Sequence, residues 1–155
     1  MENDCAPTIR RRLFATFTAF PLLFAPNAAA VAHSYKLGDI AVGHVWASRP
    51  KSGEGIAVYG PIMNQAAAAI QLTGASTPVA DEVRIRMTNK EGEHWMDMVN
   101  LEPGKPLALA PWRQHLYLTG VDRDLKEGDT FELTLDFAQA GTLTVEVEIE
   151  PEGGH

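Results

Sequence analysis

Towards its C-terminus the chain alternates. Phe131, Leu133, Leu135 and Phe137 are spaced by Glu132, Thr134 and Asp136, and then Leu143, Val145, Val147 and Ile149 are spaced by Thr144, Glu146 and Glu148, with Glu150 closing the run. A period of two sends successive side chains to opposite faces, so each run is a strand with one apolar and one wetted side. The connecting "AQAG" carries Gly141, and the pair predicts a β-hairpin. Further strand candidates are 39–46, 54–62, 67–73, 82–88, 93–99, 107–110 and 114–121. They are punctuated by "RPKSGEG", "STPVAD", "NKEG", "EPGKP", "APWRQ" and "RDLKEGD". Short strands at even spacing, with no helical periodicity and no internal repeat, predict an all-β single domain: a Greek-key sandwich or barrel.

The front of the chain reads differently. Arg10, Arg11 and Arg12 precede an apolar run from Leu13 to Ala25, and "PNAAAVA" follows. This is the order of an export signal, with an apolar stretch too short to span a bilayer. Ala30-Val31-Ala32 satisfies the small-residue rule for cleavage, which makes His33 the first residue of the mature protein. A cut after Ala30 satisfies the rule too and leaves Val31 first. The expected organisation is a signal peptide over 1–32, a domain over 33–150 and a short acidic tail over 151–155. The mature chain of about 123 residues is expected to be exported, with no further segment long and apolar enough to span a membrane. The single cysteine, Cys5, leaves with the signal, so the domain folds without disulfides. Processing takes the formal charge from −7 to −8. Such a chain has no attraction for DNA, other nucleic acid or an anionic membrane surface.

Hydrolase motifs are missing. There is no Gly-x-Ser-x-Gly, no phosphate-cradling glycine loop and no cysteine nucleophile in the domain. Histidines and methionines remain. In "HWMDM", His94, Met96 and Met98 share one face if the segment is a strand. One imidazole and two thioethers form a soft set suited to Cu(I). Methionines at this spacing also serve as core filler.

His33 offers a different set. A terminal histidine gives its amino nitrogen and its ring Nδ1 to one metal, and a second histidine adds a third nitrogen. This is a histidine brace, and three coplanar nitrogens suit tetragonal Cu(II). A hairpin centred on Leu37-Gly38 brings residue 33 near 42, with His44 one step further along the same face. His115 is the competing partner across the fold. His155, in the tail, is not expected to ligate.

Several segments together resemble the periplasmic PCu(A)C copper chaperone family: "YKLGDIAVGHVWA", "GIAVYGPIMN", "LTGASTPVADEVRI", "MDMVN", "PGKPLALAPWRQHLYLTGV" and "LKEGDTFELTLDFAQAGTLTVEVEI". The resemblance spans nearly the whole mature chain. It implies a cupredoxin-like β-barrel that binds one copper ion and delivers it to a cuproenzyme. It also implies a site of two histidines and two methionines. Met98 and His115 match that pattern, but Arg86 stands at the first histidine and Tyr117 at the last methionine. Two arrangements then follow: His94 and Met96 join Met98 and His115, or copper sits at His33 with a partner, as in the brace-bearing variant of methane-oxidising bacteria. The second is favoured, with His44 as the partner. The expected function is copper binding and carriage without catalysis. The alternatives are a metal-free partner-binding module and a brace-type copper oxygenase.

Overall fold

A computed structural model describes residues 34–49 and 54–151. They lie in one of two compact units of the chain, Val31–His155. Thirteen strands follow in order: β1 (Tyr35–Leu37), β2 (Ile40–Val42), β3 (Val45–Ser48), β4 (Ile56–Asn64), β5 (Ile70–Leu72), β6 (Gly74–Ser76), β7 (Ala80–Asn89), β8 (Gly92–Met96), β9 (Val99–Leu101), β10 (Pro106–Leu109), β11 (Gln114–Val121), β12 (Thr130–Asp136) and β13 (Thr142–Glu150). Among the described residues no helix is long and apolar enough to cross a membrane.

The C-terminal alternation is realised as written. β12 and β13 pair antiparallel, with Phe131 opposite Val147, Leu133 opposite Val145 and Leu135 opposite Leu143. Phe131, Leu133, Leu135, Val145, Val147 and Ile149 are all buried. The turn is a short 3₁₀ segment, Ala138–Ala140. Asp136 Oδ1 accepts from the Ala138 N–H at 2.9 Å, which supports the left-handed φ of 53° at Ala138.

The principal sheet runs β6-β12-β13-β3-β4-β11-β7-β8. β4 is its corner. The first half of β4 pairs with β3 and β11, and its second half pairs with β2 and β10. The change falls at Gly60, whose φ is 152°. A Cβ there would lie 2.9 Å from the His44 carbonyl oxygen and 3.2 Å from Val45 Cα, so only glycine lets the two backbones meet. The expected strand 39–46 is therefore two strands. β2 follows one half of β4 and β3 the other, with Gly43-His44 between them, where the Gly43 N–H donates to the Pro61 carbonyl at 3.0 Å. His44 sits at this corner because both strands turn there.

Three other expectations are corrected. The stretch 93–99 is interrupted at Asp97-Met98 between β8 and β9, so His94 and Met96 share a strand with each other but not with Met98. The β1–β2 hairpin turns at Gly38-Asp39, one residue later than expected, with Leu37 opposite Ile40 and Tyr35 opposite Val42. Gly38 takes the left-handed φ of 54° that this turn needs. β6 lies in a stretch with no strand signal and adds to the edge of β12.

Asn64 is a buried polar residue with no exposure. Its Nδ2 donates to the carbonyls of Ala68 and Leu101, both at 2.8 Å, and its Oδ1 accepts from the Ala66 N–H at 2.9 Å. It ties the loop after β4 to β9. Asn64→Ala strips a buried acceptor of its donor, a change that costs about 2 kcal/mol. The urea midpoint of Asn64→Ala should fall accordingly at unchanged m-value. A loss under about 0.5 kcal/mol, the scale of a neutral surface change, contradicts this role.

Candidate metal centre

Two polar clusters occupy the face of the sheet opposite the Val58–Leu116–Leu118 core. The first is at the corner. β13 runs parallel to β3, with Val147 opposite Val45, Glu148 opposite Trp46 and Glu150 opposite Ser48. Within this pairing the His44 side chain reaches along the strands to Glu150, 106 positions away in sequence, with His44 Nε2 2.5 Å from Glu150 Oε1. The side chains are 33% and 14% exposed, so the pair is shielded but reachable. Ligand atoms of His44, Glu148 and Glu150 all lie within 4.8 Å of one another. One imidazole and two carboxylates make a hard-to-borderline set, fitted to a divalent ion such as Cu(II) and poorly fitted to Cu(I).

The second cluster centres on His115, which is 1% exposed. β11 pairs with β7, setting His115 opposite Arg86 and Tyr117 opposite Arg84. Arg86 Nε donates to His115 Nε2 at 3.0 Å. An arginine nitrogen is only a donor, so Nε2 is the bare acceptor and the ring proton is on Nδ1. That proton goes to the Arg113 carbonyl at 2.9 Å. Arg86 is itself pinned: Nη1 meets Glu93 Oε2 at 3.1 Å, and the guanidinium lies 3.7 Å from the Tyr117 ring centre. The Tyr117 hydroxyl accepts from the Gly55 N–H at 3.1 Å. Burial lowers the His115 pKa; the Arg113 carbonyl opposes this, and the charge of Arg86 adds to the lowering. Aromatic contacts join the two clusters, with Trp46 4.6 Å from Tyr59 and Tyr59 5.7 Å from His115 between ring centres.

The remaining candidates fall elsewhere. His94 is exposed opposite Met87, Met96 packs against the core opposite Ile85, and Met98 is 43% exposed beyond the end of β8. His33 and His155 lie outside the described residues. Glu148 and Glu150 were not among the residues expected to ligate. In sequence they belong to the wetted side of an alternating strand, and nothing local distinguishes them from Glu146. No sequence signal singles them out, because their grouping with His44 comes from side-chain reach across the β3–β13 pair.

The family model for LpqE-like lipoproteins matches residues 40–149. The chain belongs to the LpqE-like family. Its fold is that of PCuAC domains. It is similar to the copper-bound PCuAC domain from PmoF2, at 26% identity and a TM-score of 0.69 over 77% of this chain and 98% of that one. The apo PCuAC domain from PmoF1 gives 25% identity and 0.69 over 77% and 99%. The Cu(I) form of DR1885 from Deinococcus radiodurans gives 25% identity and 0.62 over 81% and 85%. No curated protein sequence matches the chain.

The neutral state of His115 has a consequence for stability. Its folded pKa is depressed below the unfolded value of about 6.5. As pH falls, the unfolded chain takes up the proton first. The contribution of His115 is therefore complete above about pH 6.5 and is lost as pH falls through that value towards the folded pKa. The urea midpoint should drop on going from neutral pH to about pH 5, and His115→Gln should make that drop smaller. An identical pH slope in folded His115→Gln would mean the imidazole is not held neutral.

Proposed function

We propose that the mature protein is an exported carrier of one copper ion. The ion binds as Cu(II) at the corner where His44 meets Glu148 and Glu150, with the amino nitrogen and imidazole of His33 completing a histidine brace. The protein buffers this copper in the periplasm or hands it to a cuproenzyme, and it is not itself an enzyme. The observation that carries the reading is the placement of His44 Nε2 against Glu150 Oε1 with Glu148 beside them, the one such ligand group among the described residues. The β1–β2 hairpin supports the brace: β1 begins at Tyr35, two positions after His33 in sequence, and pairs with the strand that leads to His44. The copper-bound PmoF2 domain and the Cu(I) form of DR1885 support the choice of metal, and membership of a lipoprotein-like family supports export.

A second reading, a metal-free module that contacts a partner protein, draws on Arg86 and Tyr117 standing where the resemblance asks for ligands. Copper content separates the two. Protein processed to begin at His33 should hold one Cu(II) with a nitrogen-rich EPR spectrum. His44→Ala, or one extra residue before His33, should weaken binding at least tenfold, about 1.4 kcal/mol. Joint replacement of Met96 and Met98 by Leu should leave Cu(II) binding intact, and so should His94→Ala. Absence of stoichiometric copper favours the partner module. Full affinity with a blocked terminus removes His33 from the site, and full affinity in His44→Ala moves the metal away from the corner.

A further inference from the structure

From the second cluster we infer that Arg86 bars Cu(I) from His115, by occupying the ligand nitrogen of His115 with its own guanidinium. A histidine binds metal through an unprotonated ring nitrogen. In His115 that nitrogen is Nε2, and it accepts from Arg86 Nε at 3.0 Å. The other nitrogen is committed to the Arg113 carbonyl at 2.9 Å. No lone pair is left for a metal unless Arg86 leaves, and three features keep it in place. Glu93 holds Nη1 at 3.1 Å. The Tyr117 ring lies under the guanidinium at 3.7 Å. The Arg86 side chain is only 17% exposed. Arginine also stays charged at every pH the fold survives, so it cannot be neutralised and displaced as a lysine or histidine could. A cation approaching His115 meets a fixed positive charge with reduced solvent screening.

The soft donors of the chain do not overcome this. Met96 packs against the core and Met98 is exposed beyond the end of β8, so the two thioethers do not share a strand face. Positions 86 and 115 are directly opposed across β7 and β11, where facing Cβ atoms lie about 5 Å apart. That spacing lets two imidazoles share one ion. Arg86 is the side chain that prevents it, and replacing it uncovers a latent Cu(I) site. This inference stands whether or not Cu(II) binds at His44.

The test is anaerobic Cu(I) titration against bicinchoninate in a His44→Ala background, which removes the corner site. With Arg86 present, any Cu(I) binding should be unchanged by His115→Ala. Adding Arg86→His to His44→Ala should gain one equivalent of Cu(I), bound at least 100-fold tighter, and further addition of His115→Ala should abolish the gain. A folded Arg86→His protein with no gain overturns the inference, as does Cu(I) binding in the Arg86 protein that His115→Ala removes. A measurement on the wild-type protein decides the matter if the variants do not fold. The ¹⁵N spectrum of His115 should show the Nδ1–H tautomer and an Nε2 resonance unmoved by one equivalent of Cu(I). A shift or loss of the Nε2 resonance on adding Cu(I) overturns the inference.

Discussion

The parallel pairing of β3 with β13 is the constraint on which the rest of the arrangement depends. It joins an early strand to the last strand and sets Val147, Ile149, Val45 and Ala47 together in the core. Because the apolar residues of both strands must face inward, the register cannot slip by one without exposing them. The same register fixes the other face, where Glu148 lies opposite Trp46 and Glu150 opposite Ser48, and the His44 side chain meets Glu150 there. Gly60 completes the corner by letting the β4 backbone approach the His44 carbonyl. The proposed metal-binding corner thus rests on core packing, held in place by buried aliphatic residues.

The two clusters on this face have opposite characters. At the corner an imidazole faces carboxylates, the donor set proposed to hold Cu(II). At His115 the cation is already there, covalently part of the chain and held by Glu93 and Tyr117. Tyr59 packs between Trp46 and His115 and links the two through continuous ring contacts. The sheet face thus carries an imidazole–carboxylate cluster and an imidazole–guanidinium cluster side by side. Relatives at 25–26% identity share the fold with this chain, and the choice of ligands lies in a few outward side chains that the fold does not dictate.

Much of the fold was legible because it rests on local periodicity. The alternation of Phe131 to Phe137 and Leu143 to Ile149 needs no partner to be read, and 114–121 is found as β11 with the same ends. What periodicity does not report is where a strand bends. The stretches 39–46 and 93–99 each look like one strand, but each is interrupted where the chain leaves one neighbour for another. For 93–99 this removes Met98 from the face of His94 and Met96. The candidate site was legible in part. His44 stood out as a histidine after a glycine turn. Glu148 and Glu150 did not, because their significance comes from a contact spanning 106 positions. The departure of Arg86 from the family pattern was visible in sequence. That its guanidinium engages Nε2 of His115 required side-chain geometry.

Cu(II) is proposed to sit at the β3–β13 corner and not at His115. Paramagnetic broadening of backbone amide signals tests it most directly. One equivalent of Cu(II) added to ¹⁵N-labelled protein beginning at His33 should erase the signals of His44, Val45, Glu148 and Glu150 first. Those of Arg86, Trp95, Met98 and Glu93 should persist. Early loss at Arg86, Met98 and His115, with His44 and Glu150 intact, would contradict the account and place the metal at the cluster that Arg86 is held to close.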